Sequence, residues 1–141
     1  DEDKLTQLQP EDDAATIILG PWCHIPTKAE WEELIEKCTW EATKVTMPGT
    51  TEPVVAYWKV TGPNGNHIIL PSSGRYGEVD FIFDLTLYYS STVYYDIMDA
   101  YILRWNNSWV TTTGSGSHEN ITTVRFNRFY GTAIRAVCST K

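Results

Sequence analysis

The stretch Trp22-Cys-His-Ile-Pro-Thr-Lys-Ala-Glu-Trp-Glu-Glu-Leu-Ile35 decides how this chain is read. Thr27 stands where an N-cap belongs, and Glu30 three residues later completes a capping box. Pro26 keeps the backbone ahead of the cap extended. Trp31, Leu34, Ile35 and Cys38 then recur at i, i+3, i+4 and i+7, one apolar stripe of a helix. Glu32, Glu33, Glu36 and Lys37 occupy the remaining positions, so the helix over 28–38 is amphipathic and packs by one face.

Working outward, most of the remaining signals are those of strands. Upstream, Ala15–Leu19 reads as a short edge strand ended by Gly20-Pro21. Downstream, 46–53 is a loop by its Pro, Gly and Thr content, and strands at 54–61 and 66–70 meet through Gly62-Pro63-Asn64-Gly65, where Asn-Gly marks a turn. Phe81, Phe83, Leu85 and Leu87 alternate with Ile82, Asp84, Thr86 and Tyr88, which predicts one long strand over 79–89. Strands at 100–105 and 109–113 flank Asn106-Asn107-Ser108 as a hairpin. Gly114–Ser117 is a loop, 121–126 is another strand, and 132–138 closes the domain. One early helix followed by many strands is α+β. Trp22, Trp31, Trp40 and Trp58 are expected in the core beside the helix.

The opening helix with its Pro-Thr start and Glu-Trp pair resembles the start of the Fibrobacter succinogenes major paralogous domain family, found in secreted and surface proteins of Bacteroidetes. Three further stretches carry the likeness in the same order: Gly62-Pro-Asn-Gly-Asn-His-Ile-Ile-Leu-Pro-Ser-Ser-Gly74, Tyr88-Tyr-Ser-Ser-Thr92, and Phe129-Tyr-Gly-Thr-Ala-Ile-Arg-Ala-Val-Cys138. Together they span residues 20 to 138. The chain departs from the pattern at Tyr89, where relatives carry Trp, and at Ala136, where they carry Pro. The resemblance implies a C-type-lectin-like fold, with an early amphipathic helix packed on short antiparallel strands joined by long loops. It also implies binding rather than catalysis, on an extracellular or outer cell surface of a bacterium.

Length and charge set the bounds. The 141 residues suffice for one domain with its own core. Residues 1–13 carry six acids and one lysine, so most of the net charge of −7 belongs to the start of the chain. Residues 1–14 therefore read as an acidic, flexible leader and 15–141 as a single domain. A leader of this kind suits a tether left by a removed lipoprotein anchor, which fits the lack of Met at position 1. Nothing supplies the basic stripe that a nucleic-acid surface needs. No apolar run is long enough for a membrane span.

Three cysteines leave two readings open. The resemblance implies a bridge between Cys38 and Cys138, with Cys23 left over. The residues alone equally allow three reduced, buried thiols.

Function is read from aromatics. Thirteen of the eighteen Phe, Trp and Tyr lie between Tyr76 and Tyr130. Most belong to packing, since aromatics dominate core energetics. Those set among Asn, Ser and Asp have the composition of adaptable binding loops. Tyr94, Tyr95, Asp96, Asn106, Asn107, Trp109, Asn127 and Tyr130 are accordingly the candidate ligand-binding residues, taken from the stretches 91–99, 105–109 and 125–130. The ligand expected is a glycan or a surface protein, with no cofactor. An adhesin-tip or diversified protein receptor, or a structural part of a surface assembly, are the alternatives.

Two other chemistries have partial matches in the sequence. Calcium-dependent sugar binding needs carboxylates and amides where this chain has Glu52-Pro53-Val54 and Trp105-Asn106-Asn107; Val54 offers no oxygen ligand, so no metal site is expected. Catalysis would need paired carboxylates among Asp80, Asp84, Asp96 and Asp99, or Cys23 activated by His24, His67 or His118. Neither arrangement is specified by spacing, and the chain is not expected to be an enzyme.

Overall fold

A computed structural model describes residues 6–77, 79–94, 99–108, 121–128 and 131–139. The expected helix is present as α2 (Lys28–Lys37), with its full capping box: Thr27 Oγ1 accepts from the Glu30 N–H, and Glu30 Oε1 accepts from the Thr27 N–H. Before it come α1 (Ala14–Leu19) and β1 (Cys23–His24); after it come β2 (Thr39–Thr46), β3 (Pro53–Thr61) and β4 (His67–Pro71). A small pair, β5 (Arg75–Tyr76) and β6 (Phe81–Ile82), leads into β7 (Leu85–Val93), β8 (Asp99–Asn106) and β9 (Thr122–Asn127), and β10 (Val137–Cys138) ends the described chain.

These strands form two antiparallel three-stranded sheets, β2-β3-β4 and β7-β8-β9, with the two-stranded pairs β1-β10 and β5-β6. Helix α2 packs on the β7-β8-β9 sheet. Mostly antiparallel strands with few helices are compatible with the α+β class. The core lies between the helix and both sheets, with Trp31, Trp40, Trp58, Val60, Leu70, Tyr88, Leu103, Trp105 and Ile121 in one cluster.

Three indole N–H groups are satisfied there: Trp31 donates to the Tyr89 carbonyl at 3.1 Å, Trp40 to that of Leu34 at 2.9 Å, and Trp105 to Ser72 Oγ at 3.1 Å. Each pairing avoids a cost of about 1–3 kcal/mol; among the described residues the buried Trp58 indole N–H has no such partner.

Several expectations are corrected. Ala15–Leu19 is helical, not an edge strand. Asp13 caps α1, its Oδ1 accepting the N–H groups of Ala15 at 2.9 Å and Thr16 at 3.1 Å, while Oδ2 takes the Ile25 N–H at 2.9 Å. This local cap outweighs the β preference of Thr-Ile-Ile. Gly20 ends the helix at φ 107°, where a Cβ would meet the Trp22 ring at 2.7 Å. Trp22 lies over Gly20 and is 38% exposed, whereas Trp31, Trp40 and Trp58 are buried as expected.

The run over 79–89 divides into β6 and β7. At the break, Arg75 holds the Asp84 carboxylate by two hydrogen bonds, at 3.2 and 3.1 Å, and the Asp84 carbonyl accepts the Asn107 N–H at 2.9 Å. The final strand is only β10, preceded by single bridges at Gly131 and Ala133. Of the expected hairpin, β8 extends through Asn106, and the partner strand at 109–113 lies outside the described residues.

Residues 6–13, expected in a solvated leader, are attached to the fold. The Leu8 N–H donates to the Ser91 carbonyl at 2.8 Å and the Val93 N–H to that of Thr6 at 3.0 Å. Asp13 is buried by its capping role.

The disulfide joins Cys23 to Cys138, not Cys38 to Cys138. Strands β1 and β10 set Cys23 opposite Cys138 with their Cα atoms 4.1 Å apart. Cys38 is the C-cap of α2, separated from β1 by a ten-residue helix about 15 Å long, and is a free thiol. Closing a loop with 115 residues of sequence separation ties β1 to β10 and constrains the unfolded state by about 4–5 kcal/mol in the chain-entropy model.

Candidate functional site: an aromatic and cationic sheet end

Strands β8 and β9 pair Leu103 with Thr123, Tyr101 with Arg125, and Asp99 with Asn127. Cross-strand partners two residues apart share one face, so this face runs continuously from the core to the end of the sheet. Helix α2 covers its inner part, where Leu103 is fully buried. Beyond the start of α2 the face is only half-buried and carries Tyr101, Asp99 and Asn127, with the exposed Arg125.

Tyr94 joins this group from the end of β7, its backbone N–H donating to the Asp99 carbonyl at 3.3 Å. The Tyr94 and Tyr101 rings meet edge to face, 6.1 Å between centroids at 80°. A cation lies against each ring: Arg125 is 4.3 Å from the Tyr94 centroid, and Lys28 Nζ is 4.8 Å from that of Tyr101. Such contacts contribute about 0.5–1 kcal/mol each at exposed sites.

The first turn of α2 anchors the arrangement. The Lys28 N–H donates to Thr92 Oγ1 at 3.0 Å, and Lys28 Nζ lies 3.1 Å from Glu32 Oε1. Glu32 in turn accepts from Thr123 Oγ1 at 2.8 Å. That hydrogen bond, opposed by slight burial and helped by Lys28, holds the Glu32 carboxyl below its usual range.

Helix and sheet are therefore tied together beside the two rings. The face combines ring area, two cations, and the polar side chains of Asp99 and Asn127. Among the described residues no cluster of three or more His, Cys, Asp or Glu is placed to hold a metal ion.

The residues nominated from sequence divide. Tyr94 and Asn127 lie on this face. Asn106 is at the far end of β8, its Oδ1 accepting the Ser108 N–H at 2.8 Å. Asn107 is 1% exposed and belongs to the interior. Its Oδ1 accepts from Thr86 Oγ1 at 2.6 Å, its Nδ2 donates to the Ser73 carbonyl at 3.0 Å, and its own carbonyl accepts the Val55 N–H at 2.9 Å. It staples the end of β8 to β3 and to Ser73 in the link between β4 and β5, and presents nothing to a ligand. Tyr95, Asp96, Trp109 and Tyr130 lie outside the described residues, as does His118.

Lys28 and Tyr101 escaped sequence reasoning. Tyr101 shares strand parity with the buried Leu103 and Trp105, so periodicity assigns it to the core. Only the point at which α2 begins exposes it. The thiol nucleophile considered for Cys23 is removed by its disulfide, and His24 pairs instead with Glu30 at 2.6 Å. Asp84 is committed to Arg75.

No protein-family model, curated protein or solved structure matches the chain. The described residues form mostly antiparallel sheet with few helices, compatible with the α+β class, and carry a half-buried aromatic face flanked by cations at one sheet end. Among the described residues no helix is long and apolar enough to cross a membrane.

Proposed function

We propose that this is a non-enzymatic ligand-recognition domain of C-type-lectin-like architecture, displayed outside a bacterial cell. In this reading it binds a glycan through the sheet end built from Tyr94, Tyr101, Arg125 and Asn127. The observation that carries it is the interlocked Lys28–Tyr101–Tyr94–Arg125 row at the uncovered end of an otherwise buried sheet face. Rigid aromatic area flanked by hydrogen-bonding groups is the usual material of recognition surfaces. Further support comes from the early helix, the pairing of β1 with β10 across the Cys23–Cys138 bridge, and the position of most of the face in the C-terminal half. The proposed likeness to the Fibrobacter family rests on the four sequence stretches quoted above.

A glycan array probed with the purified domain, with calcium and again with EDTA, tests this. The expected result is saturable binding that survives EDTA and is lost in Tyr101→Ala and Arg125→Ala while both variants remain cooperatively folded at the assay temperature. Silence across the array overturns the glycan reading. It transfers the assignment to a surface assembly, for which the exposed Ile17, Ile18, Leu19 and Trp22 offer an apolar contact patch. Binding abolished by EDTA would show that calcium is required after all.

A further inference from the structure

A concavity lies beside α2, on the side away from Lys28 and Glu32. The helix and the extended run 135–137 enclose a groove of about 460 Å³, closed at the side by Ile68 of β4. Its walls are mainly carbon: Trp31, Leu34, Ile68 and Val137 line it, with the free Cys38 toward the helix end. This volume falls within the range of small-molecule sites, about 300–1,000 Å³. A groove bounded by one ten-residue helix offers far less than the roughly 800 Å² per partner that a stable protein interface needs.

The charges along the rim are unequally used. Glu30 is engaged by His24 and by its own capping box. Among the described residues Arg135 and Lys37 form no ion pair, and only Glu33 opposes them. Two unpaired cations beside an apolar trough match a ligand with an apolar body and one acidic group, the acid resting on the Arg135 guanidinium, which is suited to planar oxyanions. We infer that this groove is a binding site for a small apolar acid, independent of the aromatic face at the sheet end.

Two dyes sharing one apolar body test both halves of the inference in the intact protein: N-phenyl-1-naphthylamine, which is neutral, and 1-anilinonaphthalene-8-sulfonate, which is anionic. Both are expected to saturate at one equivalent, the sulfonate about tenfold more tightly, as one charge-assisted contact allows. Arg135→Gln should erase that preference and leave the neutral dye unaffected. Ala136→Trp, which fills the groove, should abolish both.

Cys38 supplies a readout in the unmutated protein. Its alkylation by iodoacetamide should slow about tenfold when either dye is bound at tenfold excess over its Kd, as burial of the thiol requires. Saturable binding without Cys38 protection, or binding that survives Ala136→Trp in a variant with an unchanged melting transition, places the dyes elsewhere and overturns the site. Should Ala136→Trp fail to fold, the Cys38 result alone decides. Equal affinity of the two dyes, indifferent to Arg135→Gln, overturns the acidic group.

Discussion

The inner and outer parts of the β7-β8-β9 sheet carry the same kinds of residue on the same face, yet meet opposite fates. Under α2, Trp31, Tyr88, Leu103 and Trp105 are at most 5% exposed, and the rings of Tyr88 and Trp105 lie 5.7 Å apart. Two residues further along β8, past the start of the helix, Tyr101 meets Tyr94 at a similar spacing but remains half-exposed with a cation against it. Coverage, not composition, separates the two. An aromatic under the helix contributes mainly to stability; an aromatic beyond it is left available for contact with something else.

The largest expected contrast is between the rings themselves. Trp31→Ala should lower unfolding free energy by about 3–5 kcal/mol, as truncation of a fully buried aromatic does. Tyr101→Ala should cost about 1 kcal/mol or less, having little buried area and one cation contact to lose. Urea unfolding of both variants measures this, and equal losses would erase the distinction.

The amide pair sharpens it. Asn107→Ala strips hydrogen-bond partners from Thr86 and Ser73 in the interior and should cost about 2–3 kcal/mol. Asn127→Ala, on the half-buried face, should cost less, about 1 kcal/mol or below. Ligand affinity should respond in the reverse order, which titration of both variants with any array-positive glycan would reveal.

The boundary between the regions, at the start of α2, should respond to acid. Burial works against ionisation of Glu30, but the His24 hydrogen bond, the Thr27 contacts and His24's charge outweigh it and hold the carboxyl below the usual glutamate range. A carboxyl depressed in the folded state stabilises it above the unfolded pKa, and that contribution disappears as pH falls through the folded value. Glu30→Gln should therefore be destabilising at pH 7, with the difference from wild type shrinking from about pH 4.3 downward. Matched urea midpoints at pH 7 and pH 3 check the sign; a gap that widens in acid would contradict it.

Lys28→Ala should give the smallest change, about 0.5 kcal/mol, because its ion pair with Glu32 is solvent-exposed and screened. Most of the effect should vanish in 1 M salt, and a loss that persists there would point to packing against Tyr101 instead.

Legibility from sequence followed the reach of the interactions involved. The α2 start was readable because a capping box is closed within four residues. The turn at 62–65 was readable because Asn-Gly chemistry is local. The α1 helix was misread: the Asp13 cap is local, but Thr-Ile-Ile favours strand, and the hold of Asp13 on Ile25 depends on the return of the chain twelve residues later. Strand β2 carried no period clear enough to be recognised, since only Trp40 of its residues is buried. For the candidate face, Tyr94 and Asn127 were found by their polar surroundings. Asn107 was misassigned on the same signal, because side-chain composition does not tell a solvated amide from one satisfied inside.

By itself the sequence determined the helix, its buried stripe, the dominance of strands and the placement of Trp31, Trp40 and Trp58 inside. All of these follow from spacing and from contacts between near neighbours. Only the tertiary structure decided which cysteine meets Cys138, which aromatics α2 leaves uncovered, and that a groove separates the helix from residues 135–137. Each depends on two segments far apart in the chain arriving side by side, and spacing along one segment carries no record of its distance from another.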